Sequence, residues 1–125
     1  MRVCRVCKKM LPLDRFDYRG GKRKGLQADC KECSRLKLKI HRAYTRRLVG
    51  RWKMIKGCNH CDFKAINPCQ LDLDHIDPTT KKKSGNSRAF EPSWSVKTIK
   101  EELRKCQVLC KNCHALKTYN NKDYL

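Results

Sequence analysis

Eight of the ten cysteines in this 125-residue chain fall in four CxxC pairs: Cys4/Cys7, Cys30/Cys33, Cys58/Cys61 and Cys110/Cys113. A CxxC pair presents two thiolates on one tight turn, and two such pairs complete a tetrahedral zinc shell. Disulfides are the competing use of so many cysteines, but they belong to oxidising compartments reached through a secretory signal. The chain begins Met1-Arg2-Val3-Cys4 with no apolar h-region, so the pairs are read as metal ligands in a reducing, intracellular setting. At this length there is room for one domain or two small ones, neither able to bury a large core alone. The expected fold is a small α+β protein stabilised by two structural zinc ions. Cys4, Cys7, Cys30 and Cys33 would hold the first and Cys58, Cys61, Cys110 and Cys113 the second, with neighbouring pairs preferred over a cross-brace. Cys69 keeps period-2 register with Leu71 and Leu73, and Cys106 keeps it with Val108, which places both cysteines inward on strands.

Charge narrows the partner. The 31 Lys and Arg outweigh 12 Asp and Glu to give +19, and two four-thiolate zinc sites would lower this to about +15. Such an excess favours a polyanionic partner. No apolar run approaches the ~18 residues that a membrane span needs, so no membrane partner is expected. The excess is uneven: residues 1–57 hold 19 basic and 4 acidic residues, while residues 58–125 hold 12 and 8.

Three segments follow. Residues 1–33 form a zinc module in which Leu11, Leu13, Phe16 and Leu26 supply a miniature core and a short hairpin links the knuckles. That core is too small to hold without metal. Residues 34–57 read as a basic helix with Ser34 as N-cap and a stripe of Leu36, Ile40, Tyr44, Leu48, Trp52 and Ile55. Val49 and Gly50 allow a break in it. The stripe can pack on its own domain or on a second copy of the chain, which leaves a homodimer open. No acidic residue occurs between Glu32 and Asp62. A merely solvated helix mixes signs to gain i,i+4 pairs, so a one-sign face is better explained by a phosphate backbone.

Residues 58–125 carry the candidate chemistry. An alternating strand from Pro68 to Asp74 delivers Asp74-His75 at its end. Residues 81–88 read as a basic loop. Ser95 caps a helix over about 96–104 with Val96, Ile99 and Leu103 on one face, and Gln107-Val108-Leu109 returns as a strand. A final helix from Lys111 bears His114 and Lys117 and frays near Asn120. His60 and His41 are read as exposed or phosphate-touching, and Phe90 and Trp94 as local core.

Two imidazoles and a carboxylate are the groups needed to activate water and hold a divalent cation against a phosphate. An ordinary imidazole titrates near ~6.5 and can take a proton at cellular pH, which makes His75 the candidate general base. Asp74 and His114 are the candidate ligands of a catalytic ion, Mg²⁺, Mn²⁺ or Ni²⁺. The candidate DNA contacts are Arg35, Lys39, Arg42, Arg46, Arg47, Lys81, Lys82, Lys83 and Lys117.

Over residues 58–118 the ordered set of CxxC, Asp74-His75, Pro78 three residues after His75, and a closing Cys110-Lys111-Asn112-Cys113-His114 resembles the HNH, or ββα-metal, endonucleases. The front of the chain, a CxxC, the Leu13-Asp14-Arg15-Phe16 run and a second CxxC entering a basic helix, is similar to phage recombination endonuclease VII relatives. The resemblance implies a ββα-metal nuclease finger behind a zinc-ribbon-like module and a long basic helix. It also implies double-stranded DNA as the partner and its one-metal hydrolysis leaving 5′-phosphate and 3′-hydroxyl ends, and it admits a cytoplasmic protein of phage or viral origin. One departure stands out: Lys105 occupies the place, five residues before the closing CxxC, of the family's middle Asn, which is thought to brace a loop. The alternative is a non-catalytic zinc-binding DNA or RNA protein in which Asp74, His75 and His114 are incidental.

Overall fold

The computed structural model describes residues 1–22, 24–80 and 91–121. They divide into two compact units, Met1–Arg42 and Ala43–Leu125, with the boundary inside the basic helix.

In the first unit, β1 (Arg2–Val3) pairs antiparallel with β2 (Met10–Leu11) around the first knuckle. The knuckle closes through Cys4 N–H to the Lys9 carbonyl and Lys8 N–H to the Cys4 carbonyl, both 3.0 Å. Lys8 reaches φ 63°, in the left-handed region. Between the knuckles the expected hairpin is reduced to one Tyr18–Leu26 bridge, flanked by Arg19 N–H to Gly25 O at 2.8 Å and Gln27 N–H to Asp17 O at 2.7 Å. Cys4, Phe16 and Cys30 form the buried centre, with Cys7, Leu11, Leu26 and Cys33 packed on it. Leu13 does not join them. It opens the 3₁₀ turn Leu13–Arg15 and stays exposed, while Phe16 at the end of that turn is the residue carried inward.

Helix α1 runs from Lys31 to Lys56, starting earlier than the sequence suggests. The second knuckle is itself the first helical turn: Ser34 N–H donates to the Cys30 carbonyl at 3.0 Å, so Ser34 lies inside the helix and is not its cap. Nor does the helix break at Gly50. A Cβ there would stand 3.2 Å from Pro68 Cγ, so the missing side chain admits the close approach of the following segment. Gly57 (φ 66°) ends the helix in the left-handed conformation, its N–H on the Lys53 carbonyl at 2.9 Å. Much of the apolar stripe stays in solvent: Leu36, Ile40, Tyr44 and Ile55 are exposed, and only Leu48 and Trp52 are half-buried. The line of the helix that is covered passes instead through Thr45 and Gly50, which are buried because small residues permit contact.

The second unit is built on a hairpin of β3 (Leu71–His75) and β4 (Cys106–Cys110), in register Leu71↔Cys110, Leu73↔Val108 and His75↔Cys106. The strand begins at Leu71, not Pro68, because Asn67 and Gln70 close a capping box over the 3₁₀ turn Pro68–Gln70. That turn leaves Cys69 exposed, against the inward placement its register suggested, whereas Cys106 is buried as expected. Helix α2 (Val96–Arg104) starts at Ser95, whose hydroxyl accepts the Thr98 N–H, and buries Ile99, Glu102 and Leu103. Helix α3 (Lys111–Asn121) follows β4 without a loop and continues through Asn120. Alternation along β3 sorts the chemistry. Leu71, Leu73 and His75 share one face of the hairpin, and Asp72 and Asp74 share the other. Trp94 is half-buried, His60 is exposed, and Phe90 lies outside the described residues. Among the described residues no helix is long and apolar enough to cross a membrane.

Candidate metal centres and active site

Both cysteine quartets form, each from neighbouring pairs. In Cys4, Cys7, Cys30, Cys33 and in Cys58, Cys61, Cys110, Cys113 the four sulfurs lie within 4.8 Å of one another, so each group can hold a metal ion. The backbone is prepared for thiolates. Val6 and Cys30 N–H point at Cys4 Sγ (3.4 and 3.3 Å), and Cys113 N–H points at Cys110 Sγ (3.4 Å). Burial pushes the Cys4 thiol up, but amide donors from Cys30, Cys7 and Val6 outweigh it and bring it down to about 6. Cys58 behaves alike, at about 6 through the amides of Cys110, His60 and Cys61. The last cysteine of each set is driven the other way. Hydrogen bonding to Cys30, then burial, lifts Cys33 to about 12, and hydrogen bonding to Cys110 and Cys61, then burial, lifts Cys113 to about 12. Each quartet thus offers a ready thiolate and retains protons that a metal would displace. Four thiolates match zinc, and a closed shell leaves no position for water.

The second quartet joins the loop after α1 to the β4–α3 junction, and Asn59 N–H on the Val108 carbonyl (2.8 Å) seats the knuckle on β4. That junction sets His114 in the first turn of α3, over the Asp72/Asp74 face of β3. His114 Nδ1 lies 3.0 Å from Asp72 Oδ2, and its Nε2 lies 3.7 Å from Asp74 Oδ1. Asp74 Oδ2 also accepts Gln107 Nε2 at 3.0 Å and the Lys117 ammonium, and Asp72 Oδ1 accepts Lys111 Nζ at 2.6 Å. Partial burial pushes both carboxyls up, yet both end below the usual carboxylate range. Lys111 and His114 do this for Asp72, and Lys117 and Gln107 for Asp74.

Asp74 and His114 therefore converge as the sequence suggested. Two ligands at about 2.1 Å from one ion stand at most about 4.2 Å apart, so the 3.7 Å pair fits a shared ion. A carboxylate with an imidazole suits Mn²⁺ or Ni²⁺. Among the described residues no third His, Cys, Asp or Glu completes a convergent trio with them.

His75 lies on the opposite face, nearly buried, with Nε2 3.0 Å from Glu102 Oε2. Glu102 is 2% exposed, and its other oxygen accepts Lys105 Nζ at 2.7 Å. Asp77 is a turn former, its Oδ1 taking Thr79 N–H and Oγ1–H at 3.0 and 2.7 Å, which draws its pKa down.

The basic candidates separate. Arg35, Lys39, Arg46 and Arg47 are exposed on α1, and Arg42 is half-buried there. Lys117 is engaged with Asp74, and Lys81, Lys82 and Lys83 lie outside the described residues. Lys53 is pushed down by burial and drawn back up by Asp72, which places a further cation beside that carboxylate. Sequence reasoning missed Asp72, Glu102 and Lys111. Asp72 could be found as the residue two before Asp74, hence on the same strand face. Glu102 could be found as an acid three residues after Ile99 on the apolar side of α2. No family model, curated protein or solved structure matches this chain.

Proposed function

We propose that this protein is a metal-dependent DNA endonuclease, with His75 as general base and a divalent ion held by Asp74 and His114. The observation that carries this reading is that each histidine is backed by its own carboxylate, Glu102 on Nε2 of His75 and Asp72 on Nδ1 of His114. A carboxylate behind an imidazole fixes tautomer and ring orientation and dedicates the far nitrogen to a proton or a metal.

With Nε2–H donated to Glu102, Nδ1 of His75 carries the lone pair. His75 ends β3 on the face opposite Asp74 and His114, so both can serve one phosphate only where it lies across the end of the strand; there Nδ1 takes the proton of the attacking water as the new oxygen–phosphorus bond forms. The bond from phosphorus to the 3′-oxygen breaks, leaving 5′-phosphate and 3′-hydroxyl ends. An ion bound by Asp74 and His114 would supply charge neutralisation on the phosphoryl oxygens and the departing oxygen. Lys117 and Lys111 hold Asp74 and Asp72 ionised beforehand and add cations beside the phosphate. Zinc in the two quartets is structural. The +15 of residues 1–57 supplies salt-dependent affinity for the duplex.

A non-catalytic nucleic-acid-binding protein is the second reading. It is favoured by the ion pairs of Lys117 with Asp74 and Lys111 with Asp72, which on their own are a self-sufficient structural network. Incubating supercoiled plasmid with the zinc-loaded chain separates the two. An endonuclease yields nicked circles only when Mn²⁺ or Mg²⁺ is added, and a binder leaves the plasmid intact throughout. Asp74→Ala and His114→Ala should raise the Mn²⁺ required, and an unchanged titration in both would remove them as ligands.

A further inference from the structure

Lys105 sits at the junction of α2 and β4 and reaches in three directions. Its Nζ donates to Glu102 Oε1 at 2.7 Å and to the Thr80 carbonyl at 3.0 Å, and its own carbonyl accepts Ile76 N–H at 3.1 Å. The segment leaving His75, from Ile76 to Thr80, is thereby tied at both ends to one residue. The same ammonium holds the carboxylate that holds His75. Glu102 is otherwise costly: an acid on the buried side of a nine-residue helix must be paired to remain ionised. Lys105 and His75 are two partners of that carboxylate.

We infer that Glu102 and Lys105 form a positioning couple for His75, with Lys105 also holding both ends of the 76–80 segment through its ammonium and its carbonyl. The inference rests on the endonuclease reading for its consequence in turnover, but not for its geometry. Glu102 accepts Nε2–H and so keeps the basic lone pair of His75 on Nδ1. Lys105 sets a cation against Glu102 and fixes where the 76–80 segment lies. Glu102 is 2% exposed and the Lys105 ammonium is engaged by Glu102 and Thr80, so both are assigned to act through His75. Substrate affinity should therefore be spared and turnover lost.

The test uses the full, zinc-loaded chain in two measurements. Long-range ¹H–¹⁵N spectra at neutral pH should place the proton of neutral His75 on Nε2 in the wild type. Glu102→Gln, whose amide can donate as well as accept, and Lys105→Met should both give mixed tautomers. Metal-dependent plasmid nicking should fall ~100-fold in kcat for Glu102→Gln and ~10-fold for Lys105→Met, the range expected for groups behind a catalytic residue. KM should stay within about twofold, and Lys105→Arg should recover most of the rate because it restores a donor. Should Glu102→Gln not fold, Lys105→Met carries the test, since the Lys105 side chain is 39% exposed and can be replaced without a cavity. An unchanged His75 tautomer in the variants overturns the couple. So do nicking at the wild-type rate, or a loss confined to KM. A wild-type chain that never nicks would defeat the endonuclease reading instead, and the tautomer result would still decide the couple.

Discussion

The two cysteine quartets match in almost every electrostatic detail and differ in everything around them. Each has a first cysteine drawn to about 6 by backbone amides and a last cysteine lifted to about 12. In the first unit the ligands are the core: of the three residues at its buried centre, Cys4 and Cys30 are thiols and only Phe16 is not. In the second, Cys110 shares a buried cluster with Leu71 and Val108, on which Cys58, Cys113, Trp52 and Leu73 pack, and Ile99, Leu103 and Leu109 are buried besides. Ligation can make up most of a core or share in a larger one, and the second unit adds a five-residue strand pair on which the acids and His75 are placed. The polar chemistry follows that division. Near the first quartet Asp29 is held by Arg5 and Lys37 as a structural ion pair, while both carboxylate-backed histidines belong to the second unit.

The sharpest way to break this comparison is to remove one ligand from each quartet. Cys30→Ala should unfold residues 1–30 entirely, with one zinc left per chain and amide protection retained in the second unit, because structural zinc supplies about 10 kcal/mol or more to such modules. Cys58→Ala should loosen the β4–α3 junction and displace His114 while hydrogen exchange still reports a protected β3–β4 hairpin. Equal collapse in both variants would remove the distinction. Zinc affinity of both sites should weaken as pH falls, since thiols at about 12 must lose protons to bind and acid holds them on.

Next in size is Leu109→Ala. Leu109 is fully buried, and its truncation should cost about 3 kcal/mol in the second unit with zinc content unchanged. Phe16→Ala is the counterpart in the first unit, and loss of zinc there would show how far metal and Phe16 depend on one another. Gly50→Val should cost about 1–3 kcal/mol by forcing α1 away from Pro68. The smallest stability effect belongs to Lys8→Gly, which relieves a left-handed residue in the first knuckle and should gain roughly 1 kcal/mol or less. Denaturant midpoints monitored unit by unit check all of these. On the binding side, replacing Lys39, Arg46 and Arg47 by Gln should lower the slope of log affinity against log salt by roughly two to three. An unchanged slope would take α1 out of the DNA contact.

Spacing alone makes both quartets legible, because two thiolates on a tight turn have few other uses. The cap at Ser95 and the inward Cys106 followed from period, whereas the nearness of Asp74 and His114 was expected through the resemblance to ββα-metal nucleases. Local chemistry hid the rest. Asn67 and Gln70 turn Pro68–Gln70 out of the strand, so Cys69 loses the register its neighbours keep. The stripe of α1 reads as a buried face, yet the covered line is Thr45 and Gly50, where smallness counts and hydrophobicity does not. Asp72 and Glu102 stand behind histidines that share no sequence motif with them, since a strand register and a helix face bring each pair together. Nothing in the sequence marks the three contacts of Lys105, which join α2 and the segment after β3 only in the folded chain.

The most direct test of the chemical role assigned to the second unit is the rate of Mn²⁺-dependent strand cleavage by full-length His75→Ala, matched to wild type in zinc content and DNA binding. Loss of the general base should slow cleavage by ~10²–10⁴-fold while both matched quantities stay unchanged. Cleavage by His75→Ala at the wild-type rate, or no cleavage by the wild type with any divalent ion, would contradict it.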